Sequence, residues 1–169
     1  MAIIASEIVM CLSGGGANSN PNSSLGGAIS STELVDNTLN NLFDNVSGAE
    51  SEAGDVEYRC VYIRNDNASL TMQNAVAWIQ TNTPSAGSTI DIGLGTSAIN
   101  GTEQTVANES TAPSGVTFSA AATEGAAIAL GNIPFGQHRS FWIRRTISAG
   151  ASAYNNDSAT IRVKCETAA

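Results

Sequence analysis

Apolar residues recur at every second position through most of this chain, the period of a β-strand with one face turned toward a core. In the segment 55–65, DVEYRCVYIRN, Val56, Tyr58, Cys60 and Tyr62 share one face, while Val61 and Ile63 give the other face apolar character too. The same alternation groups Leu70, Met72, Val76 and Trp78 in SLTMQNAVAWIQT, Ile90, Ile92 and Leu94 in STIDIGLGT, and Val116 and Phe118 in GVTFSA. Further on it groups Phe141, Ile143 and Ile147 in HRSFWIRRTIS, and Ala159, Ile161, Val163 and Cys165 in ATIRVKCE. Between these runs lie NDNAS, TNTPSAGS, TAPSG, IPFGQ and AYNNDS, rich in residues that accept positive φ or bond their own backbone. The pattern predicts an all-β fold, a jelly roll or related antiparallel β-sandwich. Helical spacing is confined to LNNLFDNV, where Leu39, Leu42, Phe43 and Val46 fall at i, i+3, i+4 and i+7.

The beginning of the chain breaks the pattern. Residues 12–32, LSGGGANSNPNSSLGGAISST, carry no charge and no aromatic ring, and they follow a short alternating piece, IIASEIV. Gly loses more backbone freedom on ordering than any other residue, so such a stretch orders only where something else supplies the contact. The expected organisation is an extended arm over 1–34, a short helical or loop connector over 35–54 and a β-sandwich over 55–169. The arm's apolar points, Ile3, Ile4, Ile8, Leu25 and Ile29, are candidate partner contacts. Removing residues 1–32 is then expected to leave the β domain folded.

Composition narrows the function. The chain has 169 residues, 42% apolar and only 13% charged, with a net charge of −8. Residues 1–58 hold no Lys or Arg, and the seven cations are Arg59, Arg64, Arg139, Arg144, Arg145, Arg162 and Lys164. A polyanion needs clustered cations to release its counterions, so direct binding to nucleic acid is not expected. The first residues lack a basic region and a long apolar run, which reads as neither a signal peptide nor a membrane span. Cysteines at 11, 60 and 165 are odd in number and far apart, suiting free thiols. The six Asn-x-Ser/Thr triplets, from Asn22 to Asn156, then reflect only how common these residues are.

Candidate chemistry is sparse. His138 is the single histidine and has no Cys, Asp or Glu at ligand spacing, so neither a metal site nor a catalytic base is expected there. No phosphate-binding loop precedes Lys164, and no cofactor is expected. Alternation places Cys60 and Cys165 on apolar faces as buried thiols. Trp142 points away from Phe141 and Ile143, with Ser140 and Arg144 on its own face. Trp and Arg together have the composition of an interface centre, which makes Trp142, Arg144 and Arg145 candidate partner contacts. The alternative is that a second layer, such as the N-terminal segment, covers the indole.

Taken together, SLGGAISST, DVEYRCVYIRN, WIQTNTPSAGSTIDIGLGTSAINGTEQTVANESTAPSGVTFSA and GNIPFGQHRSFWIRRTISAGASAYNNDSATIRV resemble small virion structural proteins of tailed bacteriophages. Within that class the likeness is greatest to capsid decoration, or cement, proteins. The resemblance implies a jelly-roll or similar sandwich without catalytic residues, made in the bacterial cytoplasm and carried on the outer surface of the capsid. It further implies the major capsid protein as partner and self-association as a dimer or trimer, with no contact to membrane. The same sandwich also suits a phage tail or baseplate module, or a receptor- or carbohydrate-binding module.

Overall fold

The computed structural model describes residues 2–167; Met1, Ala168 and Ala169, the last two within the expected sandwich domain, lie outside the described residues. Eight strands form two antiparallel sheets. β1 (Ile8–Ser13), β2 (Ile29–Glu33), β3 (Asp55–Asn65), β5 (Ser88–Leu94) and β7 (His138–Ile147) make a five-stranded sheet in the order β2-β1-β3-β7-β5. β4 (Met72–Thr81), β6 (Ile128–Ile133) and β8 (Thr160–Thr167) make a three-stranded sheet in the order β6-β4-β8. The all-β sandwich expected from the alternation is present.

The main core lies between the sheets. The large sheet contributes Leu12, Val61, Ile63, Ile92, Phe141 and Ile143, and the small sheet Met72, Ala75, Ala77, Ile79, Leu130 and Ile133, with Ile161, Val163 and Cys165 half-buried beside them. A second cluster occupies the opposite face of the large sheet: Tyr58, Cys60, Tyr62 and Trp142 from β3 and β7, joined by Val106 and bordered by Leu25, Ile29, Val56, Val116 and Phe118. Both faces of β3 are therefore buried, as its two apolar sets require. Burying each large side chain contributes about 1.5–3 kcal/mol, so neither face can be left wet.

The start of the chain is not an arm. β1 pairs with β3 from Ile8↔Asn65 to Leu12↔Val61, and β2 pairs with β1 on the other side. Residues 14–28 fold back over the second cluster, where Leu25 and Ile29 pack. Order in this Gly- and Ser-rich stretch comes from the sheet edge and from the indole beneath it.

The connector also differs from its pattern. Residues 39–46 are irregular, because Asn37 and Asn40 both adopt φ 57°, outside the right-handed helical region. Leu42 is buried and Phe43 half-buried, whereas Leu39 and Val46 face solvent. The helix of this region is α1 (Gly48–Ala53), opened by a reciprocal cap: Ser47 Oγ accepts from Glu50 N at 3.2 Å and Glu50 Oε2 accepts from Ser47 N at 2.6 Å.

In β4 the alternation changes phase. Asn74, at φ 48°, forms a bulge held by Asn132 Oδ1 at 2.9 Å, and beyond it Ala75, Ala77 and Ile79 replace the parity of Val76. Residues 115–120 make only an isolated bridge, Ile92↔Ser119, while β6 was not foreseen from its sequence.

Deleting residues 1–32 removes β1, all but the end of β2 and the cover of Trp142. The truncated chain is expected to lose cooperative thermal unfolding by circular dichroism. A cooperative melt near that of the full chain would show that these strands are dispensable.

Candidate binding surface

β1 leaves the edge of β3 at Leu12, and loops take over its hydrogen bonds. Cys60 N donates to Ser24 O and Tyr58 N donates to Glu109 O, each at 2.7 Å, while Ser24 Oγ donates to Cys60 O at 2.7 Å. A buried strand edge cannot leave these groups unpaired, so the loops 14–28 and 95–127 are fixed where they cross it.

Glu103 fixes its own loop to β7 through its carboxylate, and its backbone carbonyl accepts from Gly27 N of the first loop at 3.1 Å. Its carboxylate accepts from Ser140 Oγ at 2.6 Å, Ser97 N at 2.9 Å, Thr96 Oγ1 at 2.8 Å and Gln104 N at 3.2 Å. Tyr62 adds a bridge, its hydroxyl donating to Gly27 O at 2.6 Å and accepting from Glu103 N at 2.9 Å. Gly26 crosses Gln104 so closely that a Cβ would fall 1.8 Å from the Gln104 carbonyl oxygen, at φ +94°. Burial alone pushes the Glu103 carboxyl up, but the donors from Ser140, Ser97, Thr96 and Gln104 outweigh it and hold the group down at about 2. His138 stacks on Tyr62 with ring centroids 4.9 Å apart. Burial, then the Arg64 charge, lowers its pKa.

A second polar cluster closes the other end of the large sheet, on the face toward the small one. Glu57 and Arg145 sit opposite each other on β3 and β7 and form an ion pair. Arg145 also donates to Asp44 O at 2.7 Å, and its guanidinium lies 4.8 Å from the Phe43 ring centroid. Arg59, fully buried, donates to Leu42 O at 3.3 Å, Asn22 Oδ1 at 3.1 Å and Glu109 Oε2 at 2.5 Å. Two arginines thus hold the irregular connector against the sheet. Burial raises the pKa of Glu57 against the pull of Arg145.

Beyond this cluster the sandwich is open. A cleft of about 840 Å³ lies between residues 37–48 and 151–159, floored by Ile90, Ile143, Ile147 and Ile161. Leu39, Val46 and Tyr154 stand on its walls, 70%, 39% and 54% exposed.

The residues expected to meet a partner are dispersed. Trp142 is fully buried, because Val106, Leu25 and Ile29 pack in the cluster above the sheet; the covering layer, rather than an exposed interface centre, accounts for it. Arg144 pairs with Asp91 at 2.5 Å and lies 5.1 Å from the Phe118 ring centroid, while Arg145 is committed to Glu57 and Asp44. Ile3 and Ile8 pack against the main core and only Ile4 is exposed, at 59%. The structure brings together Leu25, Ile29 and Trp142, but as core. The cleft residues Leu39, Val46 and Tyr154 were not foreseen as one site, since they come from separate loops, one held by Arg59 and Arg145 at Leu42 and Asp44 and the other by Asp157 at Ser85 and Ser88.

Two outcomes test these anchors. A carboxylate whose pKa is depressed stabilises the fold above its ordinary value of 4.5 and loses that contribution as pH falls toward 2; for Glu103 this amounts to roughly 3 kcal/mol at about 1.4 kcal/mol per unit. His138, held neutral, adds a loss that begins as pH falls below its ordinary 6.5, while protonation of Glu57 works in the opposite direction. Urea midpoints should therefore fall from pH 7 to pH 3, and Glu103→Gln should flatten the curve below pH 4.5; a wild-type curve without an acid limb would refute this. Separately, Arg145→Met should cost about 3–5 kcal/mol by leaving Glu57 buried without its cation, and adding Glu57→Leu should recover most of it. A double variant no more stable than the single one would contradict the ion-pair reading.

No family model matches the chain, and neither a curated protein nor a solved structure matches it.

Proposed function

We propose that the chain is a non-enzymatic decoration protein, binding the outer surface of a tailed-phage head and bridging neighbouring capsomers. The observation that carries the reading is how its buried polar side chains are used. Glu103, Tyr62 and Ser24 anchor two loops, and Arg59 and Arg145 anchor a third. Groups of this kind fix a surface in one shape, and a preorganised surface loses less entropy when it binds. The family resemblance supplies the partner, the major capsid protein.

Self-association into a dimer or trimer belongs to the same proposal. β8 is an edge strand of the small sheet, with Thr160, Arg162, Lys164 and Glu166 exposed along it. Strand addition there would join copies through main-chain bonds, and many modest contacts on a closed shell act together. In this mechanism docked copies raise the cost of separating capsomers against internal pressure. Manufacture in the bacterial cytoplasm and residence on the virion follow from the same reading.

Sedimentation of the purified full chain with expanded tailed-phage capsids lacking it tests the proposal. Saturable uptake at hundreds of copies per shell is expected. Uptake of a few copies would shift the assignment to the tail, and no uptake by capsids of the phage that encodes the chain would refute it.

A further inference from the structure

We propose that the open end of the sandwich, between residues 37–48 and 151–159, docks a segment of a different protein that carries apolar side chains flanked by Lys or Arg. The inference deepens the decoration reading and rests on it only for the partner's identity.

The apolar half of the argument is exposure. Of the large apolar side chains left open to solvent among the described residues, Leu39, Val46 and Tyr154 line this cleft, while Ile4 and Phe135 do not. Val35, 64% exposed, lies just before it in the chain. Beneath them the cleft reaches Ile90, Ile143 and Ile147, which belong to the interior of the sandwich. Apolar residues gathered in a concave site and rimmed by Asn and Ser mark an interaction surface, and a Tyr at such a position is often a main source of binding energy.

Charge selects the occupant. From Glu33 to Glu57 the chain carries seven acids and no Lys or Arg; Glu57 and Asp44 pair with Arg145 and Glu33 with Arg64, and the acids lining the cleft itself are Asp44 and Asp157, both exposed. Asp36, Glu52 and Asp44 are exposed around the connector. A second copy has little with which to answer this field. Arg59, Arg64, Arg144, Arg145 and Lys164 are held in ion pairs, Arg139 donates to the carbonyls of Ser97 and Gly95, and the seventh cation, Arg162, is exposed on β8. Copies of net charge −8 repel one another at their acidic ends, and a segment of another chain richer in exposed Lys or Arg complements this end better than Arg162 and Lys164 of a second copy.

The walls are already in place. Asp44 O is held by Arg145 at 2.7 Å and Val35 O by Asn41 Nδ2 at 3.0 Å. Opposite them, Asp157 accepts from Ser85 N at 3.1 Å and from Ser88 Oγ. Binding therefore requires little further ordering of this chain.

The test uses ¹⁵N-labelled full chain and a short peptide alternating lysine and leucine, with glutamate–leucine and lysine–serine peptides as controls. The lysine–leucine peptide should shift resonances of residues 37–48 and 151–159, more weakly as salt is raised. The variant L39S/Y154S alters two exposed side chains, so it should remain folded and bind at least about tenfold more weakly. No shifts, shifts confined to other surfaces, or equal binding of the glutamate–leucine peptide would each overturn the proposal. So would self-association by sedimentation equilibrium that the double variant abolishes, because the occupant would then be a second copy. On capsids, wild-type uptake with at least tenfold weaker uptake of the variant supports this surface, and uptake of both alike overturns it while the decoration reading stands. If capsids take up neither and the peptide still docks, the decoration reading fails and the surface is supported.

Discussion

The large sheet is apolar on both faces, and the chain supplies a second sheet for only one of them. Every other feature of the molecule follows from that shortage. Trp142, Tyr58, Cys60 and Tyr62 must be kept from water by polypeptide that is not sheet, and the segments available are rich in Gly, Ser, Asn and Thr. Such segments have little apolar surface of their own with which to offset their ordering, which costs about 1–2 kcal/mol of backbone entropy per residue. Specific polar anchors fill the gap. Glu103 brings four donors onto one carboxylate, and Ser24 completes the edge of β3 where β1 departs.

The same logic operates at the open end with opposite charge. The connector lacks a helix over residues 39–46, so its carbonyls need donors from elsewhere, and Arg59 and Arg145 provide them at Leu42 and Asp44. Burying two guanidinium groups is tolerable only because Glu57 and Glu109 accompany them and Phe43 lies against both. Removing a partner would leave a charge stranded in the core, which is a larger penalty than the pair's own net contribution.

Much of the sandwich was legible, because period-2 alternation reports directly which faces are buried. It read correctly for β3, where Val61 and Ile63 oppose Tyr58 and Tyr62, and for β5, β7 and β8. It failed where a local backbone event intervenes. At Asn74 the bulge reverses the parity of β4, and at Asn37 and Asn40 positive φ prevents the helix that Leu39, Leu42, Phe43 and Val46 suggest. The real helix was announced by Ser47 and Glu50 at capping-box spacing, a signal in SGAE that apolar periodicity does not register. β1 and the covering loops were read only in part, as an alternating piece and as one of two expected surroundings for Trp142, for a different reason. Their order depends on long-range bonds to Cys60, Tyr62 and Ser140, which no local pattern encodes. The cleft was hidden in the same way, since Leu39 and Tyr154 are far apart in sequence and meet only after both ends of the sandwich are built.

Fixing loops with buried arginines has a consequence at the surface. The chain has seven cations, and the fold draws Arg59, Arg145, Arg144 and Arg139 into its interior or against its sheets, while Asp36 and Glu52 of the connector stay exposed and Asp44 shares Arg145 with Glu57. Folding thereby produces an acidic, partly apolar end without any residue reserved for that purpose. The charge at this end acts on other charged molecules over roughly a Debye length, about 8 Å at physiological salt. The cations that hold loops and sheets are in this sense withdrawn from the surface, and Arg162 and Lys164 on the edge strand β8 are the ones left exposed.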